Sequence, residues 1–267
     1  MPPSDFAKIV EGMGEAGQRM AEMGASEAAA GNISVYVRDL DGLLPAYVSQ
    51  GIVDLPVAVP NLAQGWLLVT ATHRRLRDIT RYPEQTIGAL RVCDGGFQAE
   101  LYAAQAMRPT SELNSHLGVH DDQVGRRGLA HHAVLHAQPL RLTYLTHIDA
   151  YGTTEALCRR LFRWQPEMIV EFPEGIGVLP FEMPGSDEQM RLTVAGMAEH
   201  RAVLWRRHGI VTRNDESIGQ AADLVDYAET AARYEVINLM LGEPTEGLSD
   251  AEMQGIIARM GIVQTLF

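Results

Sequence analysis

The chain has 267 residues, 46% of them hydrophobic, and carries 34 Asp and Glu against 22 Lys and Arg, a formal net charge of −12. That length builds one α/β domain with a sizeable core, and the acidic balance argues against an extended nucleic-acid surface, which relies on Lys and Arg clustered against phosphates. No apolar stretch approaches the length that spans a bilayer, and Met1-Pro2-Pro3-Ser4-Asp5 lacks a basic segment followed by an apolar run, so a cytoplasmic protein with no nucleic-acid or membrane partner is expected.

Ser4 can cap a first helix whose apolar positions Phe6, Ile9, Val10, Met13 and Met20 recur at helical spacing. Ile33, Val35 and Val37 alternate as in a strand. Asp39 to Gly65 shows no stable period and reads as a long excursion holding one hairpin. Leu67 to Thr70 forms a buried strand, and Ile87–Cys93 and Phe97–Tyr102 form a hairpin around Asp94-Gly95-Gly96. Leu113 and Leu117 open a helix; Val134–Ala137 is a short strand, with His131 and His132 beside a turn at the surface. Helices follow over Pro139–His147 and Glu155–Phe162, and strands at Met168–Phe172 and Ala202–Leu204 bracket a helix starting near Ser186. Asp215 to about Leu241 makes one long helix with Ile218, Ala222, Val225 and Val236 toward the core, and Ser249 with Glu252 opens a last helix through a capping box. No Pro/Gly-rich linker divides the chain. Hairpins among interleaved strands and helices exclude a purely parallel sheet: the expected fold is α/β, a single domain with a central mixed, mostly antiparallel sheet flanked by helices.

Chemistry concentrates in Arg108-Pro109-Thr110-Ser111-Glu112-Leu113-Asn114-Ser115-His116. Two hydroxyls and a carboxylate stand there at a loop-to-helix start, where free backbone N–H groups favour an anion. The plainer reading is a helix N-terminus capped by Thr110 or Ser111, with Glu112 in its first turn. His136 ends one apolar strand and His208 follows another, at strand ends where metal ligands gather; taken alone, each is equally a histidine bonded to a backbone carbonyl. Glu112, His116 and His120 share a helix face, a spacing open to a separate metal site, although a helix contact is the simpler use. Arg74, Arg75 and Arg77 form the densest basic cluster and suit a small anion. Cys93 and Cys158 lie outside any CxxC spacing and read as buried or inert thiols.

Residues 24–38, 66–78, Thr110-Ser111-Glu112, 134–139, 172–178, 184–188 and 203–209 follow one another as seven motifs. Together, from about residue 5 to about residue 240, they make the chain resemble the class II aldolase/adducin family. The resemblance implies a metal-dependent aldehyde-lyase that reversibly cleaves a hydroxy-ketone through a metal-stabilised enediolate. Its default substrate is a ketose 1-phosphate, giving dihydroxyacetone phosphate and an aldehyde. The metal, zinc by resemblance, falls to His136 and His208. Gln138 stands where the family's aldolases have the second histidine of a His-x-His pair; its amide oxygen or a water fills that position, which admits Mg²⁺, Mn²⁺ or Co²⁺. Glu112 takes the role of proton carrier at the carbon beside the carbonyl, with a pKa lifted by burial toward neutrality. Glu167 falls where a glutamate reaches into a neighbouring subunit and exchanges a proton with the departing aldehyde oxygen, which implies a homotetramer with active sites at subunit interfaces. Tyr144 and Tyr151 are spare proton-transfer candidates.

Asn32, Thr110 and Ser111 match phosphate-binding positions. Two departures stand out: His73-Arg74 replaces the usual Gly-Ser after Thr-Ala-Thr, and Ala29 replaces a frequent asparagine. Arg74 either pairs with a phosphate, sulfonate or carboxylate or fills the pocket. Two rival readings follow: a lyase, dehydratase or epimerase of the same family on a different, non-phosphorylated substrate, and a metal-free adducin-like scaffold, for which Gln138 speaks.

Overall fold

The computed structural model describes residues 4–264 and 266, so Met1 to Pro3, part of the segment read above for a leader, lie outside the described residues. Helix α1 (Phe6–Glu22) is capped by Asp5, whose carboxylate accepts from the Lys8 amide at 3.0 Å. Ser4 instead donates to Asp41, because the helix starts one residue later than its position would need. Strand β1 (Asn32–Val37) is buried on both faces. The excursion from Asp39 holds no hairpin; it holds β2 (Val48–Asp54), an exposed strand whose partner lies far along the chain, so no local period marks it. Next come β3 (Trp66–Thr70), α2 (Pro83–Thr86), and the expected hairpin of β4 (Ile87–Val92) and β5 (Gln98–Ala103).

Helix α3 (Leu113–Arg127) leads into β6 (His131–Ala137), which is three residues longer than its apolar run and wholly buried. His131 and His132, expected at the surface, are therefore inside. Helices α4 (Leu140–Leu145) and α5 (Thr154–Leu161) stand where their spacing placed them. The strand expected at Met168–Phe172 is a helix, α6 (Pro166–Glu171). Pro166 presets its first turn, and a Met-Ile-Val run that short fits a buried helix face as well as a strand. Then follow β7 (Gly177–Leu179), α7 (Asp187–Glu199, capped by Ser186), β8 (Ala202–Trp205), β9 (Gly209–Asn214) and α8 (Ile218–Met240). The last helix, α9 (Asp250–Met260), opens on the Ser249–Glu252 capping box. Sequence periodicity did not mark β7 or β9.

Among the described residues the strands form one nine-stranded sheet in the order β2-β5-β4-β3-β1-β6-β9-β8-β7. Every neighbouring pair is antiparallel except β7 with β8, so the fold is the mixed, mostly antiparallel α/β domain expected. A register shift between Ser49 and Ile52 bulges the outer strand β2. Alternation sends Ile33, Val35, Ala133 and Leu135 into a large core with Met13 and Val225, from α1 and α8. Tyr36, Leu67 and Val69 face the other way, toward Leu117 and Val124 of α3. Cys158 is buried, which pushes its thiol up to about 12 and keeps it inert; Cys93 is half-buried, and both are free.

Polar side chains also occupy that second face. His116, His120 and His132 are buried between α3 and the sheet, and burial holds all three rings below the usual imidazole range, His116 at about 4. In the unfolded chain the same rings take up protons near 6.5. Acidification through that window protonates the unfolded state alone, so stability is full above 6.5 and falls as the pH drops toward 4, by up to about 1.4 kcal/mol per pH unit for each ring. Urea unfolding at pH 7 and pH 5 checks this: the midpoint should be clearly lower at pH 5, and equal midpoints would mean that the rings are charged in the fold.

Candidate active site

The β1–β6 register pairs Asn32 with His136, the first residue of one strand with the next-to-last of the other. Both side chains point to the α3 face. The loop before α3 is pinned to the end of β3, where the Thr110 amide donates to the Thr70 carbonyl at 3.0 Å and Ala71 bridges Pro109. Glu112 follows as the residue before the first turn of α3. Its side chain caps no amide of that helix, and it turns inward, 5% exposed. Thr110 Oγ accepts weakly from the Glu112 amide at 3.3 Å, whereas Ser111 is exposed.

His208 enters from the turn between β8 and β9. Gly209 behind it lets β9 come against β6: a Cβ there would lie inside the Ala137 carbonyl oxygen and 2.9 Å from His136 Cε1. Gly31 plays the matching part before β1, with φ +81° and its backbone so near the His136 carbonyl that a Cβ would stand 2.8 Å from it.

Glu112, His136 and His208 converge, with one ligand atom of each within 4.8 Å of the others. His136 Nε2 is 3.7 Å from Glu112 Oε2, and His208 Nε2 is 3.5 Å from Oε1. The ring of His136 donates through Nδ1 to the Ile210 carbonyl at 3.0 Å, because a carbonyl can only accept. In the neutral ring Nε2 then presents a lone pair, and this buried atom has no hydrogen-bond partner. An orphaned imidazole lone pair beside a carboxylate and a second imidazole is a donor set that fits a divalent cation. Burial together with His136 lowers His208 to about 4, opposed by Glu112, so that ring is neutral at pH 7. Gln189 takes the Gly185 amide on its oxygen at 2.7 Å and turns its nitrogen to His208 Nδ1 at 3.3 Å.

Burial works to raise the pKa of Glu112, but His136, the hydrogen bond from Asn32 Nδ2 at 2.7 Å, His208 and His116 outweigh it, so the carboxyl is held below its usual range. This reverses the lift toward neutrality expected from burial alone. The cluster opens on a polar cavity of about 230 Å³, which Asn32, Thr110, Ser111, Gln138 and His73 also line. Gln138 is half-buried, its backbone amide bonded to the Ala25 carbonyl at 2.8 Å.

Arg74 is not among the lining residues. It is exposed, and His73, held at φ +58°, takes the place at the cavity wall. Glu167 lies elsewhere, exposed on α6 beside Asp223, Asp226 and Tyr227. Tyr144 is exposed, and Tyr151 is buried against Glu235, away from the cavity. Sequence reasoning missed two connections, the placement of Glu112 among the candidate ligands and the tie between Asn32 and His116. The alternation Asn32-x-Ser34-x-Tyr36 was their signal.

Fold and cluster together define an α/β protein with a carboxylate–imidazole centre at the end of its two central strands. The family model described as the class II aldolase and adducin N-terminal domain matches residues 11–236, and the chain belongs to that family. Rhamnulose-1-phosphate aldolase of Bacteroides thetaiotaomicron is 26% identical over 251 residues, covering 93% of each chain. The enzyme of that name from Yersinia pseudotuberculosis is 28% identical, over 95% of this chain and 94% of its own. Among solved structures, a sugar-phosphate aldolase from Thermotoga maritima superposes with a TM-score of 0.77 at 30% identity, over 91% of this chain and 99% of its own. The L-fuculose-1-phosphate aldolase of Thermus thermophilus shares the fold, with a TM-score of 0.58 at 19% identity over 91% of this chain and 100% of its own.

Gly209→Ala should displace His136 rather than unfold the sheet. Its expected outcome is a loss of divalent-cation binding, read by calorimetry, of at least tenfold with secondary structure unchanged; binding equal to that of the parent chain would show that the close approach is relaxed without moving the ring.

Proposed function

We propose that this chain is a metal-dependent aldolase that reversibly cleaves a hydroxy-ketone, by default a ketose 1-phosphate, into dihydroxyacetone phosphate and an aldehyde. The observation that carries the reading is the convergence of Glu112, His136 and His208 on one polar cavity in a chain of this family. The names of the rhamnulose-1-phosphate aldolases it resembles support the substrate class.

His136 Nε2, His208 Nε2 and a Glu112 oxygen would hold the cation, with the Gln138 amide oxygen or a water beside them. Zinc is the family's metal, and the hard amide oxygen at position 138 admits Mg²⁺, Mn²⁺ or Co²⁺. When bound, the cation supplies polarisation of the substrate carbonyl and charge neutralisation. Glu112 then moves the proton at the carbon beside that carbonyl, giving it after carbon–carbon cleavage and removing it in the synthetic direction. A carboxylate held below its ordinary range is a weak base, so it serves only where the carbon is strongly acidified. Asn32, Thr110 and Ser111 line the cavity as donors for substrate oxygens, the phosphate among them.

Glu167 completes the reading from outside the subunit. Exposed and remote from Glu112, it exchanges a proton with the departing aldehyde oxygen in a neighbouring copy's site, within a cytoplasmic homotetramer. The wall at His73, in place of a small phosphate loop, favours a second reading in which the same centre works as a lyase, dehydratase or epimerase on a non-phosphorylated substrate.

Glu112→Gln should keep the fold and lose roughly 10²–10⁴ of turnover, since an amide has the carboxylate's shape but takes no proton. Steady-state cleavage assays on metal-loaded protein measure this, and near-parental turnover would remove Glu112 from the proton transfer. Arg74→Ser tests the anion. If the exposed guanidinium folds over the cavity to meet phosphate, KM for a ketose 1-phosphate should rise roughly tenfold to a hundredfold, the worth of a charge-assisted hydrogen bond. An unchanged KM, or a parent enzyme that prefers the unphosphorylated ketose, would pass the assignment to the second reading.

A further inference from the structure

Glu112, the residue before α3, and His116 and His120 on it follow one another at four-residue steps, and Asn32, Ser34 and Tyr36 on β1 at two-residue steps. Four helical residues advance about 6.0 Å and two strand residues roughly 6.7 Å, so the two rows keep pace. The first two strand residues, Asn32 and Ser34, are bonded rung by rung to the helix row. Asn32 Nδ2 meets Glu112 Oε2 at 2.7 Å, and Asn32 Oδ1 meets His116 Nε2. His116 Nδ1 meets Ser34 Oγ at 2.6 Å, and Ser34 Oγ meets His120 Nε2 at 2.7 Å. His120 Nδ1 then meets His132 Nδ1 at 2.7 Å, and His132 Nε2 ends the row, buried and without a partner.

One fact fixes the direction of every bond: a carboxylate only accepts. The Asn32 amide nitrogen must therefore face Glu112, and the amide oxygen must accept from His116 Nε2–H. A neutral ring protonated at Nε2 has a bare Nδ1, which accepts the Ser34 hydroxyl proton. The hydroxyl oxygen accepts from His120 Nε2–H, and the bare Nδ1 of His120 accepts from His132 Nδ1–H. His132 Nε2 is left a bare acceptor, and the charges of Arg213 and Arg127 disfavour a proton there. All three rings are buried, which keeps each in a single neutral tautomer. The row does not conduct protons to Glu112, because its last rung is an amide, which neither gains nor loses a proton readily.

We propose that His116, Ser34, His120 and His132 form a positioning column that locks the Asn32 amide with its nitrogen toward Glu112 and so sets the orientation of that carboxylate against His136 and His208. The spacing at 112, 116 and 120 thus serves neither a second metal site nor a helix contact: its partners are the sheet's own polar side chains. The bond directions stand on the geometry and on the burial that keeps the rings neutral, while their kinetic consequence rests on the proton-transfer role given to Glu112.

The test has a spectroscopic arm and a kinetic arm. In the full-length protein labelled with ¹⁵N-histidine, solid-state NMR reads each ring nitrogen as protonated or bare, with signals assigned by single substitutions. The expected pattern is a proton on Nε2 of His116 and His120 and on Nδ1 of His132; a proton on Nδ1 of His116, or on both nitrogens of His132, overturns the column. In the kinetic arm, His132→Leu removes the donor to His120 and lets the row reverse, whereas His132→Asn returns an N–H near the same place. Turnover should fall roughly five- to tenfold in the first, about the worth of one hydrogen bond, with KM unchanged, and recover to within about twofold in the second. Equal turnover in the two variants, or a loss carried in KM, overturns the positioning role. A failed assignment of Glu112 shows separately, as undiminished turnover in Glu112→Gln with the ring pattern intact.

Discussion

The pairing of β1 with β6 is the constraint on which everything else in this molecule depends. Two strands buried on both faces fix their register tightly, because a one-residue slip would exchange every inward and outward side chain. With Asn32 opposite His136, the polar residues Asn32, Ser34, His132 and His136 share the α3 face while Ile33, Val35 and Leu135 build the other core. The functional cluster is thus a by-product of register: the residues that make the ladder's end also bring an amide and an imidazole to one point, and Glu112 at the start of α3 is delivered between them.

A buried carboxylate is costly, and Glu112 shows how the cost is met. Its desolvation is opposed by one amide and three imidazoles rather than by a permanent cation. Imidazoles are partners that a divalent ion can recruit without first displacing a positive charge. An arginine there would have stabilised the carboxylate more and made the centre useless for metal. The contrast with Glu235, which is bonded to Arg163 and Trp164 and paired with Arg160 in the other core, is instructive: there the same residue type is fully neutralised and only structural.

Much of this was legible in the sequence. Periodicity placed α1, α3, α5, α7, α8 and α9 and the β4–β5 hairpin, and the ordered motifs led to His136, His208 and Glu112. What failed had physical reasons. Met168 to Val170 is too short for its period to choose between helix and strand, and β2 pairs across 44 residues or more of chain. His131 and His132 looked like surface because polar residues in a doubly buried strand are rare; what keeps His132 inside is its bond to His120, a partner twelve residues back across a turn that no window along the chain connects. The lift expected for Glu112 failed for the same reason, since burial is readable from pattern but the neighbours that outweigh it come from three other strands and turns.

The bulge in β2 bears on how the whole molecule behaves in company. An open sheet of this width ends in a strand with unpaired backbone groups, and Val48 and Ile52 on it are more than half exposed. Such an edge invites a foreign strand. The shift between Ser49 and Ile52 puts the donors and acceptors of that edge out of step with any regular ladder laid against it, and Gly51 at φ +100° bends it further. A chain with so large a sheet thus carries its own guard against self-templated fibre growth, at the rim farthest from the chemistry.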